Sequence, residues 1–168
     1  MTVEDGTGLE NADSYVDIDF ADAYFSARAN DKWSELETTE KESLLVKSTD
    51  FIDHSYRWKG RRKTEEQGLN FPRVGLINSD GFTVVSVPVQ LKQAVCEGAL
   101  ISISGNLFKI SEANGAVTSE KVGNLAFTYD VSQKAKDETL YDAINLRLRG
   151  LYKEPKQDKI ISIKVQRA

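Results

Sequence analysis

The chain has 168 residues, the size of one ordinary domain, and at 40% hydrophobic, 9% aromatic and 29% charged it is too apolar to be disordered. Twenty-two Lys and Arg against 26 Asp and Glu leave a formal net charge of −4, the wrong sign for a protein that grips phosphates over its whole surface. A single cysteine, Cys96, and a single histidine, His54, exclude a disulfide framework, a Cys-based zinc finger and a multi-His metal site.

The first 22 residues carry Glu4, Asp5, Glu10, Asp13, Asp17, Asp19 and Asp22 and no basic side chain, with Gly6 and Gly8 adding flexibility. The stretch lacks the basic and then apolar order of a secretory signal, and no apolar run in the chain approaches the roughly 18 residues that span a bilayer. The expectation is a soluble, unexported protein with no membrane partner and an exposed acidic arm over residues 1–18. Asp19 is placed to cap a first helix over about residues 19–29, with Phe20, Tyr24 and Ala27 on one face. Thr39 and Glu42 form a capping box for a second helix running to about His54, its face held by Leu44, Leu45, Ser48, Phe51, Ile52 and Ser55.

Residues 56–81 hold no sustained period and contain Gly60, Gly68, Pro72, Gly75 and Gly81, so they read as a long connection, and connections of this length are often functional. A third helix begins near Ser86 with Pro88 in its first turn, ends at Gly105, and carries Leu91, Ala94, Val95, Gly98, Leu100, Ile101 and Ile103, which makes it the most buried helix. From Val117 to Val131 the period changes to two, and Gly123-Asn124 suits the tight turn of a β-hairpin. Leu140, Ile144, Leu148 and Leu151 then mark a fourth helix that Pro155 stops. The tail alternates Ile161, Ile163 and Val165 with Ser162, Lys164 and Gln166, a strand pattern with no partner strand after it. The expected fold class is mainly α: a four-helix bundle-like domain over residues 19–155 with an inserted β-hairpin at about 117–131, a long loop after helix two, and an extended C-terminal arm over residues 156–168.

No catalytic constellation emerges. His54 lies one turn after Asp50 at a helix end, where it interacts with the last carbonyls, and Cys96 falls on an apolar helix as a core residue. The spacing of Asp13, Asp17, Asp19 and Asp22 is not that of a calcium loop, and Gly6-Thr7-Gly8 is neither a dinucleotide loop nor a P-loop. The chain is expected to be no enzyme, with no catalytic residues, no metal and no cofactor.

The one local signal for nucleic acid is Tyr56 to Lys63, which sets Arg57, Lys59, Arg61, Arg62 and Lys63 among Tyr56 and Trp58. Cations that pair phosphates beside rings that stack bases make a single-strand site, with Tyr56, Trp58, Arg61 and Arg62 as its residues. The alternative is that the rings pack helix two onto the core and the cations meet solvent or a protein. Two features favour protein contacts. The strand-like tail offers an unpaired edge, and the connection exposes Phe71 and Leu76 unless something covers them. Opposite charge at the two ends, with Lys159, Lys164 and Arg167 in the tail, fits association between subunits.

The opening VEDGTGLENADSYVDIDFADAYF, the segment DFIDHSYRWKGRR, the stretch QGLNFPR from Gln67 to Arg73, and KVGNLAFTYD from Lys121 to Asp130 occur in this order. Together they resemble a family of head–tail connector proteins of tailed bacteriophages, also called head-completion or adaptor proteins. That group also goes by the description DnaT-like single-stranded-DNA-binding proteins. The similarity covers most of residues 3 to 152, and Phe71 stands where the Pro-Arg motif often has Trp, which keeps an aromatic at the position. The resemblance implies a virion protein, made in the host cytoplasm, that assembles as a ring homo-oligomer, commonly a dodecamer, beneath the portal protein. Such a ring extends the channel through which genomic DNA passes without sequence-specific binding, and it gives the next neck or tail protein a docking surface. On this reading the C-terminal arm (Lys159, Ile161, Ile163, Lys164, Val165 and Arg167) docks on the portal or a neighbouring subunit. The loop (Arg57, Trp58, Lys59, Arg61, Arg62, Phe71, Arg73, Leu76 and Phe82) faces subunits or the tail. The rival expectation is a DnaT-like single-stranded-DNA-binding replication protein.

Overall fold

Why the N-terminal residues stay on the protein is set by one carboxylate. The computed structural model describes residues 1–105, 107, 119–122, 125–128 and 141–153, the strands 119–122 and 125–128 by their backbone. Glu4 is 2% exposed, and its side chain accepts hydrogen bonds from the backbone of Gly6 (2.8 Å), Gly8 (2.9 Å) and Leu9 (2.8 Å). Bonds to an ionised acceptor are strong enough to wind a loop about it. Gly6 and Gly8 take φ of 95° and 93°, so these glycines supply left-handed geometry that turns the amides inward. The next turn back is a parallel bridge between Val3 and Ser14, with Glu4 N–H donating to the Ser14 carbonyl. Ala12, Ser14, Tyr15 and Val16 are buried. The expected exposed arm is therefore corrected: residues 3–16 form a folded edge of the core, because their acids alternate with apolar side chains and the most buried acid is satisfied by main chain.

Helix α1 spans Ile18–Ser26 and is capped by Asp17, not Asp19, whose side chain accepts from Phe20 N–H at 2.7 Å. A short α2, Asp31–Ser34, was not foreseen. It places Trp33 against Phe25 (4.6 Å between ring centroids), and Trp33 Nε1 donates to Asp22, which also pairs with Lys41 at 3.0 Å. Helix α3, Thr38–Ser55, starts earlier than expected because the box is built on Glu37 and Glu40: Glu40 reaches back to Glu37 N–H at 3.1 Å. Helix α4, Val89–Ser104, packs against α3 and is buried through Leu91, Ala94, Val95, Cys96, Gly98 and Ala99. Gly98 is required there, since a Cβ would stand 2.2 Å from Ser48 Oγ, itself donating to the Val95 carbonyl.

The connection after α3 carries two small antiparallel pairs. Strands β1 (Arg61–Arg62) and β2 (Arg73–Val74) pair with Arg61 opposite Val74, and β3 (Leu76–Ile77) and β4 (Thr83–Val84) pair with Leu76 opposite Val84. The Phe71–Pro72 peptide bond is cis. Strands β5 (Ser119–Val122) and β6 (Leu125–Thr128) form the expected later hairpin, with Val122 opposite Leu125. Residues 141–148 are helical, here α5, and Ile144, Leu148 and Leu151 are buried on the core, matching three of the four marks of the expected last helix. Leu140 and the C-terminal arm, including Lys159, Ile161, Ile163, Lys164, Val165 and Arg167, lie outside the described residues. The architecture is mainly α with inserted antiparallel hairpins.

Candidate interface at the basic aromatic segment

The segment from Tyr56 to Val84 divides into a buried half and an exposed half, and the aromatic residues expected to contact partners fall mostly in the first. Trp58 is 6% exposed, its Nε1 donates to the Asp53 carbonyl at 3.2 Å, and its ring meets Phe71 edge-on at 5.0 Å. Backbone bonds from Lys59 N–H to the Leu151 carbonyl (3.0 Å) and from Lys153 N–H to the Arg57 carbonyl (2.7 Å) stitch this part to the end of α5. Tyr56 is half-buried between Trp58 and Tyr152, and its hydroxyl donates to Asn145 at 2.5 Å. Burial, with Tyr152 beside it, pushes the Tyr56 phenol well above its ordinary value.

Phe71 and Leu76 are both 0% exposed, so the surface they were expected to offer does not exist. Phe71 packs edge-on to Tyr15 as well as Trp58, and its N–H donates to Tyr15 Oη at 3.0 Å. Tyr15 Oη in turn donates to Asp53, 4% exposed, which also accepts from Asn70 N–H at 3.1 Å and Asn70 Nδ2 at 2.9 Å. Burial, first, and the Asp53 carboxylate hold the Tyr15 phenol far above the usual range. Arg73, 7% exposed, spends its guanidinium on the carbonyls of Lys59 (2.6 Å), Asn70 (3.0 Å) and Gly60 (2.9 Å). Gln67, 2% exposed, accepts from Lys63 N–H and Thr64 N–H and donates to the carbonyls of Leu69 and Pro72. The stretch Gln67 to Arg73 is thus a pin, its Gln67 and Arg73 side chains satisfied by main chain and its Asn70 and Phe71 amides by Asp53 and Tyr15. Trp58, Phe71, Arg73 and Leu76 are withdrawn from the expected contact set, because a loop this long can be held only if its rings and amide groups are buried.

The exposed half holds Arg57, Arg61, Arg62 and Lys63. Lys59 is half-buried with Nζ on the Gly150 carbonyl at 2.8 Å, and Lys63 Nζ reaches the Gly6 carbonyl at 3.0 Å. The acidic N-terminal loop is therefore a neighbour of the basic segment within one chain; Asp5, whose carboxyl is held below its usual value chiefly by its bonds to Thr7, also feels Lys63. Beyond Gly75, Ile77 is 56%, Phe82 70% and Val85 71% exposed. Phe82 is the one exposed aromatic among the residues whose side chains are described. Sequence reading named it but missed Tyr15, Asp53, Gln67 and Asn70, whose roles depend on contacts across the chain; only the density of Gly, Asn and Pro around an aromatic hints at them.

The residues weighed for chemistry do not converge. Asp17 caps α1, Asp22 holds Trp33 and Lys41, and Asp13 accepts from Thr2 N–H. Among the described residues no group of three His, Cys, Asp or Glu is placed to hold a metal ion, and no helix is long and apolar enough to cross a membrane. His54 Nδ1 sits 2.7 Å from the Asp50 carbonyl at the end of α3. Cys96 is buried, and burial pushes its thiol up to about 12.

Fold and surface describe a mainly helical chain in which most of the described aromatic side chains, Phe82 apart, pack on its own core. The chain belongs to the family described as "Putative DnaT-like ssDNA binding protein", which it matches over residues 1–168. No curated protein and no solved structure matches it.

Proposed function

We propose that the protein is a non-enzymatic structural adaptor of a tailed-bacteriophage virion, a ring beneath the portal that extends the DNA channel and receives the next neck or tail protein. One observation carries the choice of protein over nucleic acid as main partner. The rings that a single-strand site at Tyr56 and Trp58 would use are engaged in the core, while the exposed half combines an apolar hairpin with cations, a composition suited to a protein surface. The phage setting rests on the four-segment resemblance. Acidic net charge agrees with it, since a conduit that held its DNA would slow passage. Residues 159–168 supply the arm toward the portal. Mass spectrometry and imaging of purified particles test the reading: the protein at the portal vertex is expected, and particles that carry none of it sink the proposal. A chain cut after residue 158 should fold and fail to join the portal.

The second reading, single-stranded-DNA binding, is favoured by the family's description and by the exposed Arg57, Arg61, Arg62 and Lys63. It would have to work through those cations and Phe82. Fluorescence anisotropy with a labelled single strand separates the two: binding that falls steeply with salt and is lost in Arg61→Ala/Arg62→Ala supports DNA. Flat anisotropy at low salt supports the adaptor.

A further inference from the structure

Among the described residues, an apolar feature at each end of helix α4 is left uncovered. At its N-terminal end the β3–β4 hairpin leads into Val89 and projects Phe82, with Ile77 and Val85 also exposed. At its C-terminal end a groove of about 340 Å³ lies between α4 and the start of α3. Leu36, Leu44 and Ile103 supply its apolar lining, and Thr39, Glu40 and Ser43 line it too. Among the described residues nothing fills it. Sixteen residues of helix separate the two features, roughly 24 Å, so one molecule cannot seat its own hairpin in its own groove.

Charge complements shape. Beside the hairpin, Arg61 stands opposite Val74 on the adjoining strand pair, and Arg57 and Arg62 are exposed with it. Around the groove, Glu35, Glu37 and Glu40 are exposed, as is Asp31, while Lys41 is already paired with Asp22. The countercharges run the opposite way: Asp80 is at the hairpin tip and Lys47 is on the groove wall. Glu65 and Glu66 offset most of the hairpin-side cations and Lys32 one of the groove's acids, so that with exposed Lys63 included the hairpin side stays positive by one charge and the groove side negative by two.

We propose that the groove between α3 and α4 is the receptor for the β3–β4 hairpin of a second copy, Phe82 entering between Leu36, Leu44 and Ile103 while Arg61 and Arg62 face Glu35 and Glu37. Knob and hole on opposite ends make a head-to-tail contact, which closes into a ring or continues as a filament according to the rotation between copies. The inference rests on the subunit-assembly part of the adaptor reading and names its interface.

Sedimentation velocity on the full chain tests it. Phe82→Asp spoils the knob, and Ser43→Arg, at an exposed position on the groove, blocks the hole; both leave the core untouched, and unchanged thermal melts check this. Wild type should associate with rising concentration, and each variant should weaken association at least tenfold. An equimolar mixture of the two variants should give a dimer and nothing larger, since each pair retains one intact knob and one intact hole. As a second arm, Arg61→Glu should weaken association and Glu35→Lys should restore it. A monomeric wild type at its highest soluble concentration overturns the inference. So does a variant that associates like wild type, or a mixture that stays monomeric or grows past the dimer. If a segment of the same chain fills the groove, Ser43→Arg will lower the melting temperature and leave association intact, which also overturns it. Loss of the contact with the protein still present in particles removes this interface and keeps the adaptor. Particles without the protein, with the mixing result intact, do the reverse.

Discussion

Residues 67–73 and 76–85 are neighbours in one connection, each carries a phenylalanine, and the two rings have opposite fates. In the first, Phe71 is 0% exposed and Gln67, Asn70 and Arg73 bond to main chain around it. In the second, Leu76 is buried, but Ile77 and Phe82 are exposed on a two-stranded hairpin that pairs with no further strand among the described residues. The difference teaches where the molecule's own stability ends and its surface for others begins. Polar neighbours satisfy the backbone in both stretches, Asn78 accepting from Phe82 N–H at 2.8 Å in the second; what differs is the ring, enclosed by Tyr15 and Trp58 at Phe71 and exposed at Phe82.

The sharpest way to break that contrast is to truncate rings on both sides of it. Trp58→Ala or Phe71→Ala opens a cavity where three rings and the Asp53 network meet, so each should lower unfolding free energy by about 3–5 kcal/mol in urea titrations. A loss below about 1 kcal/mol at either position would mean that the loop is not pinned there. Asp53→Ala comes next. It leaves Tyr15 Oη and Asn70 N–H buried without an acceptor, a cost of about 3 kcal/mol. Tyr15→Phe with Asp53→Ala should cost less than the two single losses added, since the partners are then removed together.

A pH titration reads the same buried half. Tyr15, Tyr24, Tyr56 and Cys96 all hold their protons more tightly in the folded chain than the ordinary values of 10.0 and 9.0, in each case chiefly through burial. Above those ordinary values the unfolded chain releases protons that the folded chain keeps. The unfolded state then binds fewer protons, and stability falls as pH rises. Melting temperature should therefore be steady up to about pH 9 and decline beyond it, and Cys96 should react with thiol reagents only on unfolding. A melting temperature that holds steady to pH 11 would contradict the burial of these groups.

How much of this was legible in the sequence depended on whether the signal was local. Leu44, Leu45, Ser48 and Ile52 recur at helical spacing, so α3 could be read, and Gly123-Asn124 between alternating runs announced β5 and β6. Caps slipped, to Asp17 from Asp19 and to Glu37 from Thr39, because several acids in a row can each satisfy the first turn and tertiary contacts choose among them. The acidic N-terminus misled for a further reason: a buried glutamate looks like any other until the amides of Gly6, Gly8 and Leu9 are seen around it. The basic aromatic segment stood out in the sequence, but its division into a buried and an exposed half did not, since Trp58 and Phe82 are both aromatic residues close to glycine in one connection. Only the partners in α5 and at Tyr15 and Asp53 separate them.

The smallest expected effect is on the exposed side, and there the near-absence of change is the informative result. Phe82→Ala removes a ring that is 70% exposed at the end of a two-stranded hairpin, so it should alter unfolding free energy by no more than about 0.5 kcal/mol. Beside Phe71→Ala this is roughly a tenfold difference in cost for the same chemical change within one connection. If Phe82→Ala instead costs about 2 kcal/mol or more, the ring is packing against its own chain, and the hairpin belongs with the pin rather than with a partner. If it costs nothing while self-association or particle incorporation falls, the ring's free energy is realised between molecules. That combination, silence in the monomer and loss in the assembly, distinguishes a contact surface from a tolerated apolar residue, because an idle exposed ring would be silent in both.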